Sequence, residues 1–273
     1  MEVVGKRPRP YHLSLAATSL PTTMASKTMT ILPAIFAPFP TLAAAQSTRH
    51  GGVSPAPYHS LNLGKSTDDS PANLAENRRR FCSALGFRPE QMAWSKQVHE
   101  DKILQVTRPG GAEGFDALVT NVPGILLTVS VADCTPILIY DARNQAIAAI
   151  HAGWRGTVAG IVAKTLDFMG QEFGTVGKDC FAYIGACIDE CSFEVGDEVA
   201  VAFANPFKRF DAERGKFFVD LKQANAAQLY AFGVPETQVE TSPYCTMRHN
   251  DVFFSHRKDG GVTGRGLGVI GLR

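Results

Sequence analysis

Neither sign of charge predominates in this chain of 273 residues, because 27 Lys and Arg oppose 26 Asp and Glu. The formal net charge of +1 gives no general electrostatic attraction to nucleic acid or to anionic lipid. The chain also lacks a run of eighteen or more apolar residues, so we expect no helix to span a membrane. These absences predict a globular protein that binds neither nucleic acid nor membrane.

Cysteine is too sparse for the length of the chain to suggest a disulfide framework. Six cysteines occur in a sequence that is long enough to bury a core without covalent cross-links. We therefore expect reduced thiols and a cytoplasmic protein. Cys187 and Cys191 have a spacing that structural zinc sites use, but the only further pair is Cys245 with His249. Ordinary packing is the preferred interpretation of this group.

Residues 1–46 are predicted to form a partly loose N-terminal extension. Pro, Thr and Ser are frequent up to residue 30, and Met24 and Met29 are alternative starts. The apolar stretch 31–39 is followed by small residues, as in a signal peptide, but its prolines disfavour the helical core of such a peptide. Residues 47–273 then form a single domain, since no linker or internal repeat interrupts them.

Helical and strand-like segments alternate irregularly, which predicts an α+β fold of mixed sheets flanked by helices. The first helix is predicted over Asp69–Leu85, with Ser70 as N-cap and Pro71 in the first turn. Short apolar runs between Ala117 and Ile150 predict adjacent strands. Further helices are predicted over 157–173, 196–204 and 221–232, further strands over 94–99, 103–107, 181–186, 217–219, 239–241, 252–255 and 267–270, and a glycine-rich turn over 109–114.

Three candidate ligands stand where apolar runs end. Cys134 follows the run 125–131, His151 follows the run 146–150, and His99 ends the stretch 94–99. Strand ends hold side chains rigidly, so these three are expected to share a cleft. Two imidazoles and a thiolate suit an open Zn²⁺ site, and Cu²⁺ would accept the same ligands. A metal site is favoured over a Cys-His nucleophile pair, which remains the alternative.

Basic side chains supply the candidates for anion binding. Arg49 and Arg155 are predicted as forks for phosphate or carboxylate, because a guanidinium matches such groups in a bidentate way. The exposed amides of a turn at Gly51–Gly52 are a further place to hold an anion. By contrast, the cluster Arg78–Arg80 fits an exposed helix face, and residues 253–265 fit a glycine-rich hairpin.

Read together, these motifs resemble the polyphenol oxidase or laccase-domain family of bacterial YfiH-like proteins. The match runs from about residue 47 to residue 272. It is carried by TRHGGVS at 48–54, SLNLG at 60–64, QVH at 97–99, FDALVT at 115–120, ADCTP at 132–136, HAGWRGT at 151–157, FEVG at 193–196 and TGR at 263–265. The resemblance implies a single YfiH-like domain with metal ligands at His99, Cys134 and His151. Asn62 and Gln97, within two of the motifs, are further candidates for substrate contact.

The resemblance also implies an activity, phosphorolysis of purine nucleosides, with adenosine deamination attributed to the family as well. The expected partners are purine nucleosides and phosphate, and the expected state is a monomer or weak homodimer. Two other enzymes remain as alternatives. One is a metal-free Cys-His hydrolase that uses Cys134 as nucleophile. The other is a copper-dependent polyphenol oxidase, although the chain offers one three-ligand site rather than the many histidines of a trinuclear cluster. A non-enzymatic partner protein is the third alternative.

Overall fold

The computed structural model describes residues 27–273. The predicted looseness of residues 1–26 lies outside the described residues. Within 27–273 there are fifteen strands: β1 (Thr30–Ile31), β2 (Leu42–Ser47), β3 (Met92–Lys96), β4 (Ile103–Gln105), β5 (Gly110–Glu113), β6 (Ala117–Thr120), β7 (Leu126–Val131), β8 (Thr135–Asp141), β9 (Ala146–Ala152), β10 (Cys180–Ile184), β11 (Glu194–Val195), β12 (Lys208–Asp211), β13 (Lys216–Val219), β14 (Val239–Thr241) and β15 (Gly266–Leu272). The same range holds five α-helices: α1 (Pro71–Ala84), α2 (Trp154–Val158), α3 (Ile161–Phe173), α4 (Asp197–Ala200) and α5 (Leu221–Ala231).

The strands form two six-stranded sheets and a small three-stranded one. The first sheet has the order β1-β2-β15-β7-β3-β5, the second β14-β10-β8-β9-β6-β4, and the third β11-β13-β12. In the first sheet, β3 runs parallel to both β7 and β5, whereas the other neighbours are antiparallel. The second sheet is antiparallel except at its two edges. The prediction of an α+β fold with mixed sheets is confirmed.

The two large sheets face each other across the central core. Side chains from the inner faces of both sheets meet there, among them Leu127, Val129, Leu138, Ile147 and Ile270. Helix α1 packs on the outer face of the first sheet, and α3 and α5 pack on the outer face of the second. Because both faces of each sheet are covered, strands β8 and β9 are buried along their whole length.

Helix α1 begins where the sequence predicts. Ser70 accepts a hydrogen bond from the amide of Ala72, and Pro71 occupies the first helical position. The helix ends at Ala84, and Gly86 follows with a left-handed φ of 76°. The predictions for α5 and β14 also agree with the structure to within one residue.

Four predicted elements differ from the structure. The segment 109–114 contains β5 rather than only a turn, because it pairs with β3. The helix predicted over 157–173 is divided into α2 and α3, since Gly160 adopts a left-handed φ of 79°. The helix predicted over 196–204 shrinks to α4. The strand predicted over 252–255 is a turn, in which the amides of residues 252 and 253 bond to the His249 carbonyl.

Strand β2 crosses the predicted domain boundary at residue 46. All six of its residues are buried, and it pairs with β1 on one side and β15 on the other. Its alanine-rich sequence has weak strand propensity, so its neighbours in the sheet decide its conformation. Residues 42–46 are therefore part of the folded sheet.

The sequence also predicted that the chain has neither a membrane-spanning helix nor disulfide bonds. No α-helix within the described residues is long and apolar enough to span a bilayer. All six cysteines lie in this part of the chain and are free thiols. The fold is therefore held by its packed sheets and helices, without disulfide bonds among residues 27–273.

Candidate metal centre and its cavity

Three predicted ligands converge at one edge of the facing sheets. His99 lies in the loop after β3, Cys134 in the connection from β7 to β8, and His151 within β9. Their ligand atoms all lie within 4.8 Å of one another. The two imidazole rings stand almost perpendicular, with centroids 4.8 Å apart. The sequence-based expectation that these side chains share one cleft agrees with this geometry.

Two residues in left-handed backbone conformations aim these ligands. His99 has a φ of 62° and Asp133, next to Cys134, a φ of 85°. Such a conformation costs a non-glycine residue about 1 kcal/mol, so surrounding contacts must hold it. The Asp133 carboxylate accepts bonds from the Thr246 hydroxyl at 2.6 Å and the Arg257 amide at 2.7 Å. Asp133 thereby fixes the turn that presents the Cys134 sulfur.

Asp116, which the sequence analysis did not single out, organises both histidines. Its buried carboxylate accepts hydrogen bonds from the backbone amides of Val98, His99 and Glu100 at 3.0–3.1 Å. The same carboxylate lies 2.8 Å from Nδ1 of His151. Nδ1 of His151 is thereby engaged, which leaves Nε2 for a ligand. In the sequence, the only signal for this role of Asp116 was its position in the FDALVT segment, directly before β6.

Cys134 and His151 shift each other's protonation. Burial raises the pKa of the Cys134 thiol, but the adjacent His151 and His99 rings outweigh this effect and lower that pKa to about 6. Burial lowers the pKa of His151, yet the Cys134 sulfur and the Asp116 carboxylate raise it to about 9. A thiolate is therefore available near neutral pH, and the thiolate is the form of cysteine that binds metals.

The donor set and its surroundings fit a divalent metal ion. Two imidazoles and one thiolate leave a coordination position open, as in catalytic zinc sites. Space beside the ligands is kept by Gly153, where a Cβ atom would lie 3.2 Å from the Cys134 sulfur and 3.3 Å from Cδ2 of His99. These residues could hold a metal ion, and the donor types suit zinc or copper.

The ligands lie in the wall of a cavity of about 780 Å³. This volume falls within the range of small-molecule sites, which is about 300–1,000 Å³. Apolar and charged side chains both line its wall. They include the apolar Ile188, Phe193 and Leu267, the cationic Lys65, Arg78, Arg257 and Arg265, and the acidic Glu113. The cavity can thus accommodate a ligand that combines an apolar ring with an anionic group.

Of the predicted substrate-binding residues, Gln97 lines this cavity. Its side-chain amide bonds in both directions to the backbone of Ser130, at 2.9 and 2.7 Å. Asn62 is fully buried and does not line the cavity. Its oxygen accepts hydrogen bonds from the amides of Gly64 and Arg265, so it holds two cavity-lining segments together.

The two predicted anion forks also lie outside the cavity lining. Arg49 donates hydrogen bonds to the carbonyls of His59 and Asn250, and Arg155 stacks on the Trp154 ring. The Gly51–Gly52 turn does not line the cavity either. Conversely, Arg78, expected on an exposed helix face, is half-buried and reaches the cavity. Its neighbours Arg79 and Arg80 pair with Glu76, as surface residues of a helix do.

The second group of potential ligands behaves as the sequence analysis preferred. Among the described residues, Cys187, Cys191, Cys245 and His249 do not form a set of three or more ligands around a common point. Cys187 and Cys245 are buried, and the thiols of Cys191 and Cys245 contact the Ser192 hydroxyl. Packing accounts for this group.

Residues 43–273 match the family described as "Multi-copper polyphenol oxidoreductase laccase". Curated relatives carry a different description. A "Purine nucleoside phosphorylase" of Bacteroides thetaiotaomicron is 42% identical over 242 residues, which are 82% of this chain and 89% of that protein. "Purine nucleoside phosphorylase YfiH" of Escherichia coli is 37% identical over 236 residues, which are 85% of this chain and 94% of that protein.

Solved structures share the fold. The crystal structure of Bacillus licheniformis hypothetical protein YfiH superposes with a TM-score of 0.85 at 31% identity, over 90% of this chain and 97% of that one. YlmD of Geobacillus stearothermophilus gives a TM-score of 0.82 at 34% identity, over 87% of this chain and 94% of that one. The resemblance found in the sequence motifs extends to the whole three-dimensional arrangement.

Proposed function

Because the chain belongs to the multi-copper polyphenol oxidoreductase laccase family, in which relatives are named purine nucleoside phosphorylase, we propose that it is a zinc-dependent purine nucleoside phosphorylase. Its substrates are adenosine, inosine, guanosine and methylthioadenosine, which it converts with phosphate to the free base and the corresponding sugar 1-phosphate: ribose-1-phosphate from the first three and 5-methylthioribose-1-phosphate from methylthioadenosine. It also deaminates adenosine to inosine. It acts in the cytoplasm as a monomer or weak homodimer.

One observation carries the proposal: a three-ligand group lies in the wall of a cavity large enough for a nucleoside. Among the lining residues, Phe193 and Ile188 offer surfaces on which a purine ring can pack. The cationic lining residues offer charge for phosphate. A purely structural metal site would have four protein ligands and no adjoining cavity.

The residues present define the chemistry. Zinc held by His99, Cys134 and His151 would supply Lewis acidity. The Asp116 carboxylate, 2.8 Å from Nδ1 of His151, favours a proton on that nitrogen, so a metal would bind His151 through Nε2. In phosphorolysis a phosphate oxygen bonds to C1′ of the ribose as the bond from C1′ to the purine nitrogen breaks. The electron pair leaves with the base, which takes up a proton. The cavity is large enough for its walls to hold both reactants close together.

The oxidase named in the family description is less well supported. A trinuclear copper cluster requires many histidines close together. Within residues 27–273 there is a single group of three potential ligands. This single group favours the phosphorylase over a multi-copper oxidase.

One specific observation favours a second candidate, the metal-free Cys-His hydrolase. Asp116, His151 and Cys134 are arranged like a catalytic triad. The Asp116 carboxylate contacts the His151 imidazole, which in turn lies next to the Cys134 thiol. The low pKa of Cys134, about 6, suits that role too. The two candidates differ in their dependence on metal.

The first prediction is tested with purified full-length protein and adenosine, with and without phosphate. Zinc-loaded protein is expected to form adenine and ribose-1-phosphate only when phosphate is present, and inosine under both conditions. Cys134→Ala is expected to lose phosphorolysis by at least about 100-fold, since removal of one ligand or of a partner that orients it costs 10–100-fold or more. Chromatography of bases and sugar phosphates is the measurement.

Cys191→Ala is the matched control, because Cys191 is also a half-buried free cysteine but lies outside the cavity. It should retain activity. A chelator should abolish phosphorolysis, and added zinc should restore it. If folded, zinc-loaded protein forms no sugar 1-phosphate from any of the four nucleosides, the phosphorylase proposal is wrong. Activity that persists with a chelator but disappears on alkylation of Cys134 would favour the hydrolase.

A further inference from the structure

Three cationic side chains from distant parts of the sequence line the cavity. Lys65 follows the SLNLG segment, Arg78 comes from α1, and Arg265 stands directly before β15. Arg265 is close enough to Asp133 and Cys134 for their charges to act on it. The cationic wall, as we call Lys65, Arg78 and Arg265, therefore adjoins the metal centre.

Hydrogen bonds around one short loop bring this wall together. The Leu63 carbonyl accepts two bonds from the Arg78 guanidinium, at 2.6 and 3.1 Å, and the Leu63 amide donates to the Arg265 carbonyl at 2.9 Å. Asn62 bonds the amides of Gly64 and Arg265. At Gly64 a Cβ atom would lie only 2.4 Å from Cβ of Arg265, so only glycine permits this close approach. The loop is thus fixed between the two arginines.

No carboxylate neutralises this wall by direct contact. Within residues 27–273, Lys65, Arg78 and Arg265 form no ion pair at 4.0 Å or less. The nearby Asp133 already directs its carboxylate oxygens to Thr246 and Arg257.

The environment of Lys65 indicates an unsatisfied positive charge. Its ammonium lies 3.7 Å from the centroid of the Trp94 ring, which makes a cation–π contact but supplies no formal negative charge. Burial and the neighbouring Arg78 lower the pKa of Lys65. Gathering like charges in a cavity is unfavourable unless an anion enters, and that anion then binds strongly.

We infer that Lys65, Arg78 and Arg265 bind the phosphate that attacks the nucleoside. This inference rests on the proposed function. A tetrahedral dianion placed here would lie among the three cations in the cavity that also contains the candidate metal ligands, with space left for the purine near Ile188 and Phe193. The site differs from the Arg49 and Arg155 pair that the sequence alone favoured, since neither of those side chains lines the cavity.

Binding of inorganic phosphate to the zinc-loaded full chain, measured by calorimetry without nucleoside, tests the inference. Lys65→Gln is the decisive variant because Lys65 is exposed and its ammonium makes no ion pair, so the fold should tolerate the change. We expect its phosphate dissociation constant and its KM for phosphate to rise about tenfold, as the loss of one charge-assisted contact predicts. Lys65→Arg should stay near wild type, and Arg265→Lys should be weakened because it loses the guanidinium fork.

Lys178→Gln is the matched control, since it removes an equal charge from an exposed site outside the cavity and should change nothing. A nucleoside 5′-monophosphate is the second probe. Unchanged inorganic phosphate binding in folded Lys65→Gln and Arg265→Lys overturns the inference. So does a pattern in which only binding of the nucleotide, and not of inorganic phosphate, depends on these residues.

The two proposals can fail separately. Phosphate binding that follows the expected variant series, in a protein that yields no ribose-1-phosphate, supports the anion site and rejects the phosphorylase. Phosphorolysis whose KM for phosphate is the same in wild type, Lys65→Gln and Arg265→Lys supports the phosphorylase and rejects this site.

Discussion

The carboxylate of Asp116 positions both histidines of the candidate metal site. It binds three consecutive backbone amides of the His99 loop and also Nδ1 of His151. An amide in its place has only one acceptor atom and carries no charge. Both histidines would then be less firmly positioned, although neither ligand itself is altered.

The expected result for Asp116→Asn is zinc affinity lowered by about 10–100-fold, the usual effect of losing such a partner of a metal-binding histidine. Competition with a chromophoric chelator measures this affinity. Asp141→Asn is the control, because Asp141 is equally buried and bonds backbone amides far from the cavity. Equal zinc affinity in Asp116→Asn and wild type would contradict the role given to Asp116.

At this scale the sequence predicted that His99, Cys134 and His151 share one cleft, but it did not predict the residues that position them. His99, Cys134 and His151 stand at the ends of apolar runs, and that pattern is visible in one dimension. Asp116 is a lone acidic residue at a strand start, and nothing in its spacing connects it with His151. The cationic wall unites residues 65, 78 and 265, whose approach depends on backbone hydrogen bonds that no local pattern encodes.

Short connections, rather than long elements, shape the site. Helix α2 begins directly after Gly153, so the backbone passes the ligands closely before it turns away. A methyl group at Gly153 would press on the Cys134 sulfur and the His99 ring, at 3.2 and 3.3 Å. The φ of Gly153, −73°, is one that alanine adopts easily.

Gly153→Ala should therefore leave the fold intact and disturb the ligands. We expect zinc affinity to fall at least severalfold while the unfolding midpoint of the metal-free protein changes little. Gly170→Ala, within α3, is the matched control, because its added methyl meets only ordinary contacts and should leave zinc affinity unchanged. The same zinc affinity in Gly153→Ala as in wild type would show that the added methyl group does not displace the ligands.

Elements with strong local signals were predicted well, and those decided by pairing were not. Helix α1 has a cap, a proline and a glycine stop, and its predicted ends agree closely with the structure. Strand β5 is a glycine-rich segment that becomes a strand through its pairing with β3. Gly160 divides a continuous apolar stripe into α2 and α3, because the stripe alone does not reveal a left-handed residue.

In the whole molecule the three candidate ligands lie where the two large sheets meet. His99 follows a strand of the first sheet, His151 belongs to the second, and Cys134 lies on the connection between them. An ion bound by all three would cross-link the sheets in the native state only. Ligands that bind the native state alone raise its stability by mass action.

Zinc at about 100 times its dissociation constant should stabilise the fold by about 2.7 kcal/mol. For a chain of this size that corresponds to a rise of roughly 5–10 °C in the unfolding midpoint. Thermal denaturation with zinc and with a chelator is the measurement. Cys134→Ala should show no such shift, and an equal shift in that variant would mean that the stabilising zinc binds elsewhere.

The passage from β7 to β8 takes only three residues, Ala132 to Cys134, and so leaves no slack between the sheets. If one sheet slides over the other, the distance between the Cys134 sulfur and at least one of the two histidine rings must therefore change. The distances among the three ligands thus depend on how the two sheets are stacked. Substitutions in the core between the sheets, remote from the cavity, would therefore lower the affinity for the metal ion.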